Sequence, residues 1–316
     1  MKETFVAALT PGTSVHSTFL VQAKERKIAR SGSAYLDLDL QDSTGTIRAK
    51  LWDCDRFTLD FEVDDVVQVV GEVEDYQGSP QMRVRKISRC APEEIDLLDY
   101  LPRTRRDPEQ MYAALMDRLR NMPEGPVRAL LLATFEDPEL ARKFKLAPAA
   151  MSYHHACLGG LLEHVLSLVE LGDLTCDHYP SLRRELVVAG LALHDLGKID
   201  ELTCARGFRY TTRGQLVGHI AIALEIVRAK MRDIPDFPAA LQDQIEHILL
   251  SHHGKLEFGS PKEPMFAEAL VVHYLDDMDS KLEAMRAQYA ADKDRAGEWT
   301  ARNPALKREL LKPTAD

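Results

Sequence analysis

Histidine is concentrated in one part of this sequence, where it interrupts segments with the pattern of buried helix. Ten of the eleven histidines lie within residues 154–273. In ELVVAGLALHDLGKIDEL, His194 and Asp195 stand side by side at positions where an amphipathic helix would bury leucines. Burying an ionisable group alone is costly, so each such group must be paired, hydrogen-bonded or bound to a metal.

The polar residues in these apolar surroundings are imidazoles and carboxylates. For one histidine, an internal hydrogen bond is the common explanation, but a shared metal accounts for the whole set at once. The candidate ligands are His164, His194, Asp195, His219, His252, His253 and Asp276. Such a set suits Mn, Fe, Co, Ni or Zn, whereas Mg and Ca prefer more oxygen ligands. Because the set exceeds what one ion needs, we predict two divalent transition-metal ions, with Asp195 able to bridge them through its two oxygens.

Two neighbouring cations predict a hydrolytic chemistry. At about 3.5–4 Å apart, they lower the pKa of a bridging water and neutralise the charge that develops on a phosphodiester under in-line attack. Lys198, one turn beyond His194, would offer a positive charge to a phosphate oxygen. The alternative is a solvent-facing helix end beside Asp200 and Glu201. The segment GKLEFGSPKEP after His253 would either form a rim around the substrate or serve as an ordinary connection.

The chain as a whole has an ordinary composition, with 316 residues, 45% hydrophobic and 28% charged, and a formal net charge of −10. Its length suits two domains. The absence of an apolar run of about 18 residues and of a signal-peptide pattern predicts a cytoplasmic protein without membrane association. The acidic balance argues against binding nucleic acid through overall charge, so any such contact must be local. Five scattered cysteines without a Cys-x-x-Cys pair are predicted to be reduced and mostly buried.

Residues 13–90 contain five short β-branched or alternating segments separated by turn signals, which is typical of a small barrel. Alternation sends one set of side chains outward, and we predict that they bind nucleic acid: Tyr35, Arg48, Lys50, Trp52, Arg83 and Arg85. Cations that follow phosphates and flat rings that stack on bases are what single-stranded nucleic acid requires. A solvated strand face, with Trp52 closing one end of the barrel, is the alternative.

From Ala91 onward the pattern changes to helix. A Pro- and Arg-containing stretch near residues 92–107 marks the boundary, and helical periodicity continues to about residue 290. We therefore predict a multidomain α+β protein. Its parts are a five-stranded barrel over residues 1–92, a helical linking region over 93–150, an all-α bundle over 151–290 and a polar tail over 291–316.

Both modules resemble known families. The order of GGLLEH (159–164), LALHDLGK (191–198), GH (218–219), SHHG (251–254) and HYLDDMDSK (273–281) resembles the two-metal form of the HD-domain metal-dependent phosphohydrolases. The strand module resembles an OB fold, most clearly in YLDLDLQDSTGTIRAKLWD and VVGEVEDYQGSPQMRV. An OB fold followed by this HD domain, over roughly residues 12–290, is similar to the YhaM family of 3′-to-5′ exoribonucleases.

The resemblance implies a role for each candidate residue. One ion would be bound by His164, His194, Asp195 and Asp276. The second would be bound by His219 and His252, with His253 and the bridging Asp195 able to complete it. The catalytic residues would be Asp195, Lys198 and His253. Asp277 and Asp279 are alternatives to Asp276, because helical periodicity puts Asp276 and Asp279 on one face. His154 and His155 would lie beside the ligands or in the core.

The implied activity is 3′-to-5′ hydrolysis of single-stranded RNA, with manganese the favoured ion. Single-stranded DNA as a further substrate, and a homo-oligomeric state, are left open. One alternative is an HD phosphohydrolase of small nucleotides or cyclic dinucleotides, with the barrel used for assembly or regulation. Another is a non-catalytic single-strand-binding protein with structural metals, which is disfavoured because closed structural sites rarely use open His/Asp two-metal sets.

Overall fold

The chain is described by a computed structural model over residues 2–29, 31–76, 78–91, 95–96, 99–151, 156–204, 207–293 and 295–313. Two units can be distinguished, Met1–Arg103 with Ala205–Gly207, and Thr104–Cys204 with Phe208–Asp316. Each unit has a hydrophobic core of its own.

The N-terminal unit is built on five strands, each with one apolar face. They are β1 (Ser14–Ile28), β2 (Ala34–Asp42), β3 (Gly45–Trp52), β4 (Val66–Tyr76) and β5 (Ser79–Arg89). The strands close into a barrel in the order β1-β2-β3-β5-β4, in which β3 and β5 run parallel and the other neighbours antiparallel. The predicted five-stranded OB-type barrel is confirmed.

Alternation along the strands separates the barrel core from its outer surface, as the pleat requires. Leu36, Leu38 and Leu40 of β2 are buried and belong to the same core as Phe19 and Met82. Tyr35, on the opposite side of β2, is only partly covered. The outward face of β2 and β3 is therefore available to a ligand.

The second unit is helical and carries a small sheet. Its helices are α1 (Pro108–Arg120), α2 (Pro126–Phe135), α3 (Pro138–Leu146), α4 (Gly160–His178), α5 (Arg184–Leu193), α6 (Lys198–Glu201), α7 (Thr212–Val217), α8 (His219–Arg232), α9 (Ala239–Ser251) and α10 (Ala267–Ala291). The sheet pairs β6 (Leu202–Thr203) with β7 (Arg209–Tyr210). This sheet is absent from the sequence prediction, because two-residue strands leave no periodic signal.

The first helices of this unit are interrupted where the sequence predicts one continuous helix. The pattern predicts continuous helix over residues 126–148, but α2 ends at Phe135 and α3 begins at Pro138. The Asp137 carboxylate caps α3 by accepting hydrogen bonds from the first-turn N–H groups, which starts a new helix there. Apolar residues of α1 to α3 share one core with those of α4, α5 and α9, although residues 93–150 are predicted as a linking region.

Close helix packing brings the histidine-bearing segments together. A Cβ added to Gly190 of α5 would lie 2.7 Å from both Ile248 of α9 and Val272 of α10. A Cβ on Gly197 would overlap the backbone carbonyl of His219. Because both neighbours are packed against the glycine itself, larger residues at these two positions would push α9, α10 and the start of α8 away from the His194–Asp195 turn.

The C-terminal tail packs on α10 instead of extending from it. Trp299 forms a β-bridge with Leu311, and the buried Asn303 donates to the carbonyl of Ala284 at 3.3 Å.

In the described residues, no helix is both long and apolar enough to span a bilayer. The cysteines are free thiols, of which Cys54 and Cys176 are buried and the others are partly buried.

Candidate metal centre and nucleic-acid interface

Two of the candidate ligands lie where helices end. The pattern predicts helix through the LHDLGK segment, but α5 stops just before His194, and α9 stops just before His252. Each ring folds back so that its Nδ1 is 3.0 Å from the carbonyl oxygen of Leu191 for His194, and 2.8 Å from that of Leu249 for His252. A helix end leaves such carbonyls without a helical partner, and a histidine Nδ1–H satisfies them. The Nε2 atoms are thereby directed into the unit.

His219 is held by the buried carboxylate of Glu201, a residue that is not among the predicted site residues. It begins α8, and its backbone N–H donates to Glu201 Oε1 at 2.9 Å. The same oxygen is 3.0 Å from His219 Nδ1. Burial alone would raise the pKa of Glu201, but its hydrogen bonds with His219 hold that pKa below its usual range. Since α6 has only four residues, its sequence offers no periodic signal that would have identified Glu201.

His164 lies on α4 and is also fixed by a carboxylate. Its Nδ1 is 2.8 Å from Asp279 Oδ2, and the other oxygen of Asp279 accepts from Ser167 Oγ at 2.8 Å. With Nδ1 used in this way, His164 Nε2 lies 3.2 Å from Asp276 Oδ1. His253 is also fixed through its Nδ1, which is 3.1 Å from the backbone carbonyl oxygen of Phe258.

Four imidazoles converge on the carboxylate of Asp195, which is 2% exposed. Asp195 Oδ1 is 3.6 Å from His219 Nε2 and 3.9 Å from His252 Nε2. Asp195 Oδ2 is 3.3 Å from His194 Nε2 and 3.9 Å from His164 Nε2. Each oxygen therefore faces a different pair of rings, which is the arrangement a carboxylate needs to bridge two cations.

The candidate ligand atoms form two groups, in each of which all atoms lie within 4.8 Å of one another. The groups are His164, His194 and Asp195, and His219, His252 and His253. The buried Nε2 atoms of His194, His219 and His252 have no hydrogen-bond partner among the described residues. In the neutral form of each ring Nδ1 carries the proton, so Nε2 then presents a lone pair, which is the form in which imidazole binds a metal. The donor set thus fits divalent cations.

Asp276 is the carboxylate of α10 that faces these rings. Its Oδ1 is 3.2 Å from His164 Nε2 and 3.7 Å from His194 Nε2. Asp279 instead contacts the opposite nitrogen of His164, and Asp277 pairs with Lys281 at 2.6 Å. Of the three alternatives, Asp276 alone is placed like a ligand.

Electrostatics keep the carboxylates charged and two of the rings neutral. Burial alone would raise the pKa of Asp195, but Lys198 and His194 hold it well below its usual range. Burial lowers the pKa of His252 well below its usual value, and it also lowers that of His253. For His194, burial opposes the positive charge, but Asp195 and Asp276 raise its pKa to about 10. A cation would compete with that proton, since metal binding requires the neutral ring.

Lys198 lies inside the centre and not at a solvent-facing helix end. Its Nζ donates to Asp195 Oδ2 at 2.6 Å, and its side chain is 13% exposed. Burial disfavours the ammonium, but Asp195 and Asp276 together raise the pKa of Lys198. It also lines a cavity of about 290 Å³ that opens on the centre, so its positive charge is accessible to an anionic substrate. Its contact with a phosphate stays a prediction.

The barrel carries a second candidate site, with Lys50 at its middle. The rings of Tyr35 and Trp52 are 4.7 Å apart, and Lys50 Nζ lies 5.5 and 5.6 Å from their centres. Tyr76, at the end of β4, has its ring 5.0 Å from the same Nζ and is 51% exposed. Tyr76 is not among the residues predicted from sequence, although its alternation with Glu72 along β4 places it on the outward face.

The arginines of this face are partly compensated by neighbouring carboxylates. Arg83 pairs with Glu74 at 3.4 Å, and Arg85 pairs with Glu72 at 2.7 Å. Arg48 is exposed on β3. Since the side chains of both pairs are at least two-fifths exposed, the arginines can exchange a carboxylate for a phosphate at little cost.

Of the histidines named from sequence, His154 and His155 lie outside the described residues.

A barrel of OB type and a helical unit with a histidine–aspartate centre define the class of HD-domain metal-dependent phosphohydrolases that also carry an OB fold. The family model described as OB-fold nucleic acid binding domain matches residues 20–89, and that described as HD domain matches residues 161–281. Divalent-metal dependence belongs to this class.

Similarity over the whole chain narrows this class to one family. The chain is 35% identical over 307 residues to the 3′-5′ exoribonuclease YhaM of Bacillus subtilis, covering 96% of both chains. It is 36% identical over 309 residues to that of Bacillus velezensis, again covering 96% of both. The second OB-fold domain of replication protein A from Methanococcus maripaludis covers 28% of this chain at 25% identity, with a TM-score of 0.23 that is too low to bear on the fold. The chain belongs to the YhaM family of 3′-5′ exoribonucleases.

We expect Glu201→Gln to weaken Mn²⁺ binding by about 10- to 100-fold, the usual effect of removing a carboxylate that orients a ligating histidine. The amide can still accept from the backbone N–H of His219, so the fold should survive. Isothermal titration calorimetry with Mn²⁺ measures the change in affinity. Glu225→Gln, an exposed change on α8 where Glu225 pairs with Arg213, is the matched control. Equal affinity in both variants would show that Glu201 does not position His219.

Proposed function

We propose that this protein is a metal-dependent 3′-to-5′ exoribonuclease that hydrolyses the phosphodiester bonds of single-stranded RNA. One observation carries the proposal: the Nε2 atoms of four imidazoles converge on the two oxygens of Asp195. Its membership of the YhaM family, whose curated relatives bear the name 3′-5′ exoribonuclease, supplies the substrate and the direction.

We assign the ligands of two cations on the same basis. The first would be held by His164, His194, Asp195 and Asp276, and the second by Asp195, His219, His252 and His253. When bound, such a pair supplies an activated water and a Lewis acid for the phosphodiester. The donors are nitrogen and oxygen without any cysteine, which suits Mn, Fe, Co, Ni or Zn, and we propose manganese by resemblance to the family.

The chain's own residues have separate tasks in this proposal. Asp195 holds both groups of ligands at a fixed spacing, and it keeps Lys198 at the centre through their 2.6 Å contact. Lys198 would then meet a phosphate oxygen as a localised positive charge. His253, with its pKa lowered by burial, is a neutral ring beside the cavity that can bind a cation or accept a proton.

The direct test of the proposal is a digestion of end-labelled RNA. We expect purified protein with Mn²⁺ to convert 5′-labelled single-stranded RNA into a ladder that shortens from the 3′ end. With a 3′-label, mononucleotide should be the first labelled product. A chelator should stop both reactions. Hydrolysis of small nucleotides or cyclic dinucleotides without any RNA ladder would instead support the alternative phosphohydrolase function.

The outer face of the barrel is proposed to bind the polymer, and single-stranded DNA would bind the same rings because every base has a stacking face. For Arg48→Ala, Lys50→Ala and Trp52→Ala combined, we expect RNA affinity to fall by about 10- to 100-fold. The slope of log K against log[salt] should become shallower by about 1.4, or 0.7 for each lost phosphate contact. Fluorescence anisotropy with labelled RNA and Ca²⁺ in place of Mn²⁺ measures both.

A matched change on the barrel separates this surface from general charge loss. Arg26→Ala removes a cation that pairs with Asp55 and does not belong to the predicted set, so RNA affinity should stay within about twofold of wild type. If the triple variant binds and degrades long RNA like wild type at physiological salt, the barrel does not hold the substrate.

A further inference from the structure

The cavity on the metal centre combines ionisable groups with one flat apolar ring. Its volume is about 290 Å³, and Asp195, Lys198 and Asp276 line it together with His252 and His253. Among the described residues that line it, Phe258 supplies the only benzene ring. A cavity that joins anion-binding chemistry to an aromatic wall fits a ligand with a phosphate and a planar group.

The Phe258 ring is largely exposed and lies outside the helical core. It is 57% exposed, and in the described part of the chain it neither belongs to the helical core nor packs against it. Leaving a phenylalanine in water forgoes the free energy of its burial, since a buried ring contributes much to stability. The ring is therefore available for a ligand.

The backbone of Phe258 is fixed relative to the metal centre. It ends the short 3-10 helix Leu256–Phe258, and its carbonyl oxygen is 3.1 Å from His253 Nδ1. The Phe258 N–H donates to the carbonyl of Lys255 at 3.0 Å. The segment is tied down beyond the turn by Ser260 Oγ, which donates to the carbonyl of Leu250 at 3.0 Å. A ligand stacking on Phe258 would thus lie at a defined distance from the ligands of the second cation.

We propose that Phe258 stacks on the base of the 3′-terminal nucleotide and so positions the last phosphodiester at the metal centre. This inference rests on the proposed exoribonuclease function. Stacking on a phenylalanine face accepts all four bases, which suits an enzyme that degrades RNA irrespective of sequence. Lys255, whose Nζ is 5.5 Å from the centre of the ring, adds a positive charge beside the same nucleotide.

The test compares two substrates that differ only in the terminal base. One is a 5′-labelled RNA with a normal 3′-terminal nucleotide, and the other ends in an abasic ribose at that position. Wild type should remove the normal nucleotide with a kcat/KM roughly 5- to 150-fold higher, the range that one stacked base provides. The Phe258→Ala variant should remove the normal and the abasic terminal residue at equal rates. Phe258→Tyr should restore the preference for the normal nucleotide.

Controls separate stacking from damage to the centre. Leu256→Ala changes another exposed apolar residue of the same 3-10 helix that does not line the cavity, so the preference should be unchanged. Mn²⁺ content should be equal in all variants, because the Phe258 contact with His253 uses the backbone. Phe258→Leu, which keeps apolar bulk without a flat face, should lose the preference and serves if Phe258→Ala folds poorly.

The possible results separate a failure of the exoribonuclease function from a failure of the stacking role of Phe258. If wild type shows no activity on RNA, the proposed function fails and the subsite falls with it. If wild type degrades RNA but treats both ends alike, or if Phe258→Ala keeps the preference for the terminal base, the stacking role is overturned while the exoribonuclease function stands. A change of oligomeric state on gel filtration in Phe258→Ala, with the preference intact, would assign the ring to a protein contact.

Discussion

Replacing Asp195 with asparagine is expected to lower the turnover of single-stranded RNA by on the order of 10³-fold or more, because several kcal/mol of transition-state stabilisation depend on the cation pair. The side chain faces four imidazole nitrogens at 3.3 to 3.9 Å, two from each oxygen. An amide has one oxygen and a donor nitrogen, so it cannot offer a negative oxygen to both groups of rings. We expect Mn²⁺ content, measured by elemental analysis, to fall together with activity.

The fold must survive for this result to be informative. Lys198 is nearly buried beside Asp195, and leaving such a charge without its partner can cost about 3–5 kcal/mol. Asparagine keeps an oxygen that can accept from Lys198, which is why it is preferred to alanine here. Thermal unfolding should be followed in every variant. Asp200→Asn, which weakens a partly exposed ion pair with Lys143 away from the centre's ligand atoms, is the control and should retain activity within about twofold. Full activity in a folded Asp195→Asn would refute the shared metal centre.

The second expected result is a graded series along α10. Asp276→Asn should lower activity by on the order of 10³-fold, since it removes the negative charge of a proposed ligand that faces both His164 and His194. Asp279→Asn should lower it by only about 10- to 100-fold, because its carboxylate orients His164 without facing the centre. Asp277→Asn should change activity by less than about threefold, because Asp277 lines the cavity with its carboxylate paired to Lys281 and not to a ligand ring.

Metal titration separates these roles further. Asp279→Asn should reach wild-type turnover when Mn²⁺ is raised, because the ligand itself is still present and only its orientation is weakened. Asp276→Asn should stay impaired at any Mn²⁺ concentration. If Asp279→Asn is the more damaging change and cannot be rescued, the ligand and the orienting carboxylate have been assigned the wrong way round.

Much of the centre is predictable from sequence because an ionisable pair inside an apolar segment has few structural explanations. His194–Asp195 and His252–His253 stand out for this reason, and the same logic identifies His164 and His219. What sequence reasoning missed has no local signal. Glu201 lies in a four-residue helix and contacts a histidine 18 positions later. Phe258 lies in the GKLEFGSPKEP segment, which the sequence offers as a possible rim around the substrate, but only the cavity shows that its ring borders the metal centre.

Sequence patterns are enough to predict the barrel, the helical unit, the chemical types of the candidate ligands and the outer face of β2 and β3. These depend on alternation and periodicity, which act between near neighbours along the chain. Helix packing sets which oxygen of Asp195 faces which ring, and it places Asp276 instead of Asp279 opposite the Nε2 atoms. Those two aspartates share one face of α10, so periodicity cannot separate them. The packing of α10 against α4 and α5 sets its rotation, and that rotation places each carboxylate on a different nitrogen of His164.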